Sequence, residues 1–259
     1  MSYIENCNKY RDTIIQNFEE AKLVKNCLDK DLIKELLMYQ FTEAYNIKWQ
    51  DTSRNLQAIC DIDEIFEKIP VMQDIFERLI GKFSEHHTGN FYITSMLHDA
   101  HCDLLTQSEC ESKHFTWAEK MIPYKSAIIP LVINEDAEAY TAFFRQRHIG
   151  YSITLDKMGK SEQGNSLYEI SREYPEFYDY GPTLESDYRN PLLPKGTVDD
   201  LQYENIFKFE VGDIMLFDAC QIHMSVVDSW KEERDIDFLK SGINIQFYRE
   251  VKGEEDAQS

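Results

Sequence analysis

Three side chains of metal-ligating type stand out in this sequence: His101 and Asp103, separated by one residue, and His223 far downstream. In an extended backbone alternate side chains leave the same face, so an imidazole and a carboxylate two positions apart can bind one metal ion. Two imidazoles and one carboxylate form the 2-His-1-carboxylate triad, which occupies one face of an octahedral Fe(II) and leaves the other positions open. The residue types therefore predict a mononuclear non-haem iron site at His101, Asp103 and His223.

The two segments that carry these residues lie in a region whose pattern is typical of short β-strands. A Gly212-Asp213 turn leads into an apolar strand, and His223 follows after a short polar bend. Many short strands separated by turn signals favour a sandwich or jelly roll. The predicted strands span residues 91–97, 126–133, 141–144, 151–155, 206–211, 214–217, 224–227 and 243–248.

The first third of the chain has helical periodicity instead. Apolar residues recur at helical spacing over residues 32–41, with Asp29 or Asp31 available as the N-cap, and again over residues 62–83, where Pro70 interrupts the pattern. We expect these helices to pack on the outside of the β-rich part. The predicted fold class is therefore α+β, with a double-stranded β-helix (jelly-roll) core.

A single domain accounts for the whole length, residues 1–259, with a helical N-terminal part at 1–88 and the jelly-roll core at 89–250. Residues 159–202 contain four of the chain's seven prolines, interleaved with tyrosines, and show no sustained period. A stretch of this length without a regular pattern inside a compact domain is usually functional or disordered, so we expect an ordered insertion or lid.

Charge and composition exclude several function classes. With 27 basic and 47 acidic residues, the net charge of −20 repels phosphate backbones and anionic membrane surfaces, so we expect neither nucleic acid nor membrane as a partner. The six cysteines are scattered and form no Cys-x-x-Cys pair, and no signal peptide is evident, which predicts free thiols in a cytoplasmic protein. The composition leaves the oligomeric state open.

The chain resembles the Fe(II)/2-oxoglutarate-dependent oxygenase superfamily, in the group that includes phytanoyl-CoA hydroxylase-like and prolyl 4-hydroxylase-like enzymes. The resemblance covers roughly residues 91–250 and depends on three segments in the expected order. These are His101-x-Asp103, the strand from Gly212 to Phe217 that leads to His223, and the closing strand from Ser241 to Tyr248. It implies Fe(II) as the metal, 2-oxoglutarate as cosubstrate, O2 as oxidant and a small-molecule substrate.

The resemblance also implies a basic residue that pairs with the far carboxylate of 2-oxoglutarate, because a desolvated carboxylate needs a charge-assisted partner. Arg234 and Lys240 both fit by their position after His223, and we favour Lys240 because it opens the last strand. The family often has Arg-x-Ser there, where this chain has Lys240-Ser-Gly242. Tyr92 and Lys125 are further candidates for cosubstrate contact, although buried tyrosines and lysines at the start of strands are commonly structural.

The implied reaction is oxidation of a C–H bond, with release of succinate and CO2. Because Asp103 is present, hydroxylation is favoured over halogenation, for which family members lack this carboxylate. An amino-acid-like or natural-product metabolite is the default substrate. Two alternatives remain: a cupin-like metal enzyme that does not use 2-oxoglutarate, and a non-catalytic β-sandwich binding module in which the three ligands do not converge.

Overall fold

The fold is taken from a computed structural model of the chain. The structure describes residues 2–42, 50–52, 55–60, 62–84, 86–94, 100–111, 113–135, 138–154, 177–179, 201, 203–227 and 239–251. Within these residues, no helix is long and apolar enough to cross a membrane. The five cysteines whose side chains are described are all unpaired, namely Cys7, Cys27, Cys102, Cys110 and Cys220.

The helices are concentrated in the N-terminal third, as the periodicity predicts. Asp29 caps the third of them, because its Oδ1 accepts a hydrogen bond from the Leu32 N–H at 2.9 Å. Pro70 separates two helices: one ends at Lys68, and the next begins with Pro70 in the first turn, where its missing N–H costs nothing. The helices are α1 (Tyr3–Lys9), α2 (Arg11–Gln16), α3 (Lys30–Thr42), α4 (Ile62–Lys68), α5 (Pro70–Ile80), α6 (Gln107–Cys110) and a 3-10 helix (Lys113–Lys120).

Thirteen strands are present among the described residues, and they form two antiparallel sheets. The strands are β1 (Lys22–Val24), β2 (Gln50–Thr52), β3 (Asn55–Cys60), β4 (His87–Thr94), β5 (His101–Cys102), β6 (Met121–Ile133), β7 (Ala139–His148), β8 (Ile153–Thr154), β9 (Phe177–Asp179), β10 (Tyr203–Lys208), β11 (Ile214–Asp218), β12 (Gln221–Val227) and β13 (Lys240–Glu250). All eight predicted strands overlap an observed one, so the expected mixture of outer helices and antiparallel sheet is confirmed.

The larger sheet has seven strands in the order β1-β11-β6-β13-β4-β3-β2, and the smaller has the order β10-β7-β12-β5-β8, with β9 added beside β7. The Gly212-Asp213 turn enters β11 as predicted. Gly212 has φ +96, a left-handed conformation that favours glycine, and Asp213 accepts a 2.8 Å hydrogen bond from the Asn26 N–H. This turn therefore contacts the N-terminal part of the chain through a hydrogen bond at the start of β11.

Two buried layers flank the larger sheet. On one face, the helices α3, α4 and α5 cover β-strand residues such as Phe91, Ile243 and Phe247. On the other face, Phe143 of β7 packs with Met215 and Phe217 of β11 between the two sheets. The inner layer is therefore shared by both sheets, and the metal-ligating residues lie next to it.

The N-terminal part is not purely helical, which corrects one expectation for residues 1–88. Strand β1 pairs with β11, and β3 pairs with β4 and carries β2 on its other side, so both edges of the larger sheet are formed by N-terminal strands. The strands β1 and β2 are three residues long. Segments so short are stabilised by pairing with a preformed sheet edge rather than by their own periodicity, so helical spacing could not predict them.

Candidate metal centre

The backbone brings His101 and His223 face to face. Strand β12 pairs antiparallel with β5, and His223 is the direct partner of His101 in that ladder. Their ring centroids are 4.4 Å apart. Directly opposite residues in an antiparallel pair project from the same face of the sheet, so this register alone places the two imidazoles side by side on one face. Asp103 lies directly after the short strand β5.

The three predicted ligands converge at this point. His101 Nε2 lies 3.4 Å from Asp103 Oδ1, and His223 Nε2 lies 3.1 Å from Asp103 Oδ2. One ligand atom from each residue lies within 4.8 Å of the other two. A mononuclear metal ion with bonds of roughly 2 Å to nitrogen and oxygen fits between donors at such separations.

The tautomer of His223 follows from its other ring nitrogen. Nδ1 lies 3.1 Å from the backbone oxygen of Gln221, which can only accept, so Nδ1 carries the proton and Nε2 presents a lone pair. Burial and the neighbouring His101 lower the pKa of His223, so the ring is neutral near pH 7. The His223 Nε2 lone pair then lies beside the Asp103 carboxylate, and a cation shared by the two side chains stabilises this arrangement.

Asp103 is ionised in this setting. Burial raises the pKa of its carboxyl group, but the His223 and His101 rings lower it by more, and the net pKa lies well below the usual range. A carboxylate together with two imidazoles is a donor set that suits Fe(II) and other borderline divalent cations. The residues present therefore fit the predicted metal.

Aromatic side chains shield His223 from water. The rings of Phe217 and Phe143 lie 4.7 and 5.9 Å from the His223 ring, centroid to centroid. Both phenylalanines are buried, and His223 itself is 3% exposed. This apolar wall limits solvent access on one side of the site and strengthens electrostatic interactions there.

A pocket opens beside the three ligands, and Lys240 lies in its wall. The pocket is lined by Asn90, Tyr92, His101, Asp103, Ile128, Thr141, His223, Ser225, Lys240 and Asn244. Lys240 Nζ donates to Ser225 Oγ at 2.9 Å and lies 4.7 Å above the Phe209 ring. No carboxylate among the described residues pairs with this ammonium, and burial lowers the pKa of Lys240 to about 7. An unpaired buried cation in a pocket favours binding of an anionic ligand group.

Tyr92 also lines the pocket, and its hydroxyl approaches β13 closely. A Cβ atom added at Gly242 would lie 2.6 Å from Tyr92 Oη and 2.6 Å from the Ile129 backbone oxygen. Gly242 therefore leaves the space that the phenol ring occupies. Burial and the Asp103 charge raise the pKa of Tyr92, so its hydroxyl is protonated and can donate to a ligand.

Lys125 lies elsewhere, in a buried cluster of charged residues. Its Nζ donates to Asp218 Oδ1 at 2.6 Å and to the Asn17 backbone oxygen at 3.0 Å. Arg147 completes the cluster, with Nε 3.0 Å from Asp218 Oδ2 and Nη1 3.2 Å from Glu204 Oε2. Because the Lys125 ammonium is already paired and does not line the pocket, we do not assign it a cosubstrate contact.

Some predictions fall on residues outside the described ranges. These are the competing cosubstrate residue Arg234 and nearly all of the proposed lid at 159–202, of which the structure describes only 177–179 and 201. The part that is described, β9, pairs with β7 and so adds to the smaller sheet.

Five pocket residues were not among the predicted site residues: Asn90, Ile128, Thr141, Ser225 and Asn244. A partial signal exists in β13, where Gly242, Asn244 and Gln246 alternate with apolar residues. Alternate residues of a strand share one face, and Lys240 and Asn244 on this face line the pocket. Asn244 also donates a hydrogen bond from Nδ2 to Asp103 Oδ2, a contact between residues far apart in the chain.

No family model and no curated protein matches the chain. Several solved structures resemble it over most of its length. A prolyl-4-hydroxylase from Pseudomonas putida has a TM-score of 0.44 at 9% identity, covering 96% of this chain and 100% of its own. The non-haem α-ketoglutarate-dependent carbocyclase SnoK from nogalamycin biosynthesis has a TM-score of 0.48 at 9% identity, covering 100% and 93%. HygX from Streptomyces hygroscopicus, with nickel, 2-oxoglutarate and hygromycin B bound, has a TM-score of 0.43 at 11% identity, covering 94% and 86%.

These structures are distant from the chain, with identities of 9 to 11%. The functional argument therefore depends on the site residues of this chain. His101, Asp103 and His223 therefore form a candidate metal centre. It lies beside a pocket that contains Lys240, a buried lysine without a carboxylate partner among the described residues.

Proposed function

We propose that this protein is an Fe(II)- and 2-oxoglutarate-dependent dioxygenase that oxidises a C–H bond of a small molecule, and that its two sheets form a double-stranded β-helix core. The observation that carries the proposal is the pairing of two features in one pocket. The lone pair of His223 Nε2 lies beside the ionised Asp103 carboxylate, which favours a cation shared by the two side chains, and Lys240 is a buried cation without a carboxylate partner among the described residues. A dicarboxylate that binds the metal at one end and pairs with Lys240 at the other would complement both features.

His101, Asp103 and His223 would hold Fe(II), with each residue giving one donor atom. The metal, when bound, supplies the oxidation chemistry with O2, which no amino-acid side chain can provide. The chain's own contribution is orientation. The Gln221 carbonyl fixes the His223 tautomer, and the antiparallel register holds both rings on one face of the sheet.

Lys240 would bind the carboxylate of 2-oxoglutarate that lies away from the metal. Ser225 Oγ lies 2.9 Å from Lys240 Nζ and keeps its hydroxyl near the same position, so it can hydrogen-bond the same carboxylate. Tyr92 adds a protonated phenol to the wall of the pocket. Arg234 remains the competing candidate for this role from the sequence.

The overall reaction balances as one substrate C–H bond, one 2-oxoglutarate and one O2 giving C–OH, succinate and CO2. One oxygen atom enters the new hydroxyl group and the other enters succinate. Reduction of O2 takes four electrons. The substrate C–H bond supplies two of them, and oxidation of the keto acid supplies the other two. The Phe143 and Phe217 rings exclude water from one side of the centre, which protects such chemistry from side reactions.

The substrate class we propose is an amino-acid-like or natural-product metabolite of small size. The pocket wall offers neutral hydrogen-bonding groups at Asn90 and Thr141, together with the apolar Ile128. Among the described residues that line the pocket, Asp103 is the one carboxylate and Lys240 is the one lysine. This lining fits a ligand that is polar and compact.

The test is anaerobic reconstitution with Fe(II), followed by measurement of 2-oxoglutarate binding and of succinate formation with a panel of small metabolites. We expect one Fe(II) per chain, a 2-oxoglutarate charge-transfer absorption band, and succinate formation that a substrate stimulates. Fe(II) binding without any binding of 2-oxoglutarate would instead favour the cupin-like metal enzyme. Absence of stoichiometric metal in the parent protein, with the same metal content in His223→Ala, would leave the binding-module alternative.

A further inference from the structure

Asp103 is held from the opposite sheet by a side chain that is not a predicted ligand. Asn244 Nδ2 donates to Asp103 Oδ2, and the two residues are 141 positions apart. Asn244 belongs to β13 in the larger sheet, whereas Asp103 follows β5 in the smaller one. The hydrogen bond therefore crosses between the sheets at the metal centre.

The two partners differ in how firmly their backbones are held. Asn244 lies in the middle of β13, which is paired on both sides, with Asn90 of β4 and Ile128 of β6 as its direct partners. Asp103 follows the two-residue strand β5 and lies outside any regular element. A side chain on a doubly paired strand can fix the orientation of a carboxylate on an irregular segment.

The chemistry of the contact determines which end of the amide faces Asp103. An ionised carboxylate only accepts hydrogen bonds, so the amide must present its NH2 group to Asp103 and direct its carbonyl oxygen elsewhere. The Asn244 Oδ1 atom is buried and has no hydrogen-bond partner among the described residues, so nothing at that end competes for the amide's orientation. The Asn244 side chain is buried, at 8% exposure. Among the described residues, Asp103 is its one side-chain hydrogen-bond partner.

We propose that Asn244 is a positioning residue that limits Asp103 to a single metal-bound oxygen; this inference rests on the proposed metal site. A carboxylate that turns both oxygens to a metal occupies two coordination positions, which with two imidazoles leaves two of six. The amide engages Oδ2 and opposes that rotation, which leaves Oδ1, 3.4 Å from His101 Nε2, as the one metal-bound oxygen. Three positions then remain for a chelating cosubstrate and O2. This function requires the N–H donor and not merely the volume of the side chain.

The experiment uses Mn(II) as a probe, because the number of exchangeable waters on bound Mn(II) is measured by water-proton relaxation. The variants are Asn244→Leu, which keeps approximately the same volume without the donor, and the matched control Asn90→Leu. Asn90 is the cross-strand partner of Asn244 and lines the same pocket but makes no hydrogen bond to Asp103. All proteins are compared at saturating Mn(II), with folding verified by circular dichroism.

We expect three exchangeable waters in the parent and in Asn90→Leu, and two in Asn244→Leu. Three waters in Asn244→Leu, two in the parent, or an equal loss in the Asn90 control would overturn the inference while leaving the metal site in place. If Asn244→Leu does not fold, Asn244→Ser serves instead, because its short side chain fits the space and does not reach Asp103. Failure of the parent to bind Mn(II) more tightly than His223→Ala would overturn the proposed function and this inference together.

Discussion

His101 and His223 are direct partners in the antiparallel ladder between β5 and β12, and their ring centroids lie 4.4 Å apart. This strand pairing explains how two residues so far apart in the chain become neighbours. Because side-chain direction alternates along a strand, a shift of the register by one residue would turn one imidazole to the other face. The metal centre therefore depends on strand register as much as on residue type.

Replacing either Asp103 or His223 by alanine should abolish tight metal binding. Each removes one of three ligands, and since loss of a group that merely supports a ligand weakens metal affinity by about 10- to 100-fold, loss of the ligand itself should exceed that range. Isothermal titration with Fe(II) or Co(II) measures the effect. His86→Ala is the control, since the His86 ring stacks on Trp117 at 5.2 Å and does not line the pocket. Parent-like affinity in either ligand variant would contradict the assignment.

Lys240→Met should weaken 2-oxoglutarate binding while leaving metal affinity unchanged. A hydrogen bond to a charged group is worth about 1.5–3 kcal/mol, which corresponds to a rise in Kd of roughly 10- to 100-fold. Titration of the Fe(II) protein under anaerobic conditions gives both affinities. Lys208→Met is the matched control, because Lys208 forms an exposed ion pair with Glu138 at 2.8 Å. An unchanged Kd for 2-oxoglutarate in Lys240→Met would shift the role to Arg234.

Binding of 2-oxoglutarate should weaken as the pH rises above 7. Burial lowers the pKa of Lys240 to about 7, so above that pH the empty pocket contains a neutral amine. A bound carboxylate favours the ammonium and raises this pKa, so binding takes up a proton, and affinity falls by at most about tenfold per pH unit. His223 is neutral throughout this range, since its pKa is lowered.

The measurement is the Kd for 2-oxoglutarate between pH 6.5 and 9, with Lys240→Arg as the comparison. Arginine remains charged across this range, so its variant should show a flat profile. A slope that is equal in the parent and in Lys240→Arg would mean that another group takes up the proton.

Arg147→Met should destabilise the protein strongly without touching the metal site. Arg147 is fully buried and pairs with Asp218 and Glu204. Its removal takes the arginine partner from Glu204 and leaves Asp218 with Lys125 as its one cationic partner among the described residues. Breaking one side of a buried charge network typically costs about 3–5 kcal/mol. Burial already raises the pKa of Asp218 despite the opposing charges of Lys125 and Arg147.

Urea denaturation of the parent, Arg147→Met, Asp218→Asn and the double variant that combines them measures this cost. We expect the double variant to be less destabilised than the sum of the two single effects, because both substitutions remove the same contact between Arg147 and Asp218. A loss below about 1 kcal/mol in Arg147→Met would instead be typical of an exposed ion pair.

Several features follow from local sequence alone. Pro70 separates α4 from α5 because it lacks an N–H and is accommodated in a first helical turn. Gly212 forms the turn before β11 because it adopts φ +96 readily. The alternation in β13 separates pocket-lining Lys240 and Asn244 from Ile243 and Phe247 beneath the helices. Each depends on backbone preferences within a few residues, which is why the sequence predicts them.

Contacts between distant segments were decided only by the tertiary structure. Lys125 and Lys240 were both candidate cosubstrate residues, and Lys240 was favoured. Lys125 is neutralised by Asp218, 93 positions away, whereas Lys240 has only the Ser225 hydroxyl as its side-chain hydrogen-bond partner among the described residues. Similarly, the bond from Asn244 to Asp103 spans 141 positions and joins two sheets. The sequence by itself determined which side chains are capable of ligating a metal. Which charges stay unpaired depends on how sheets pack, because burial and pairing are set by neighbours that no local pattern specifies.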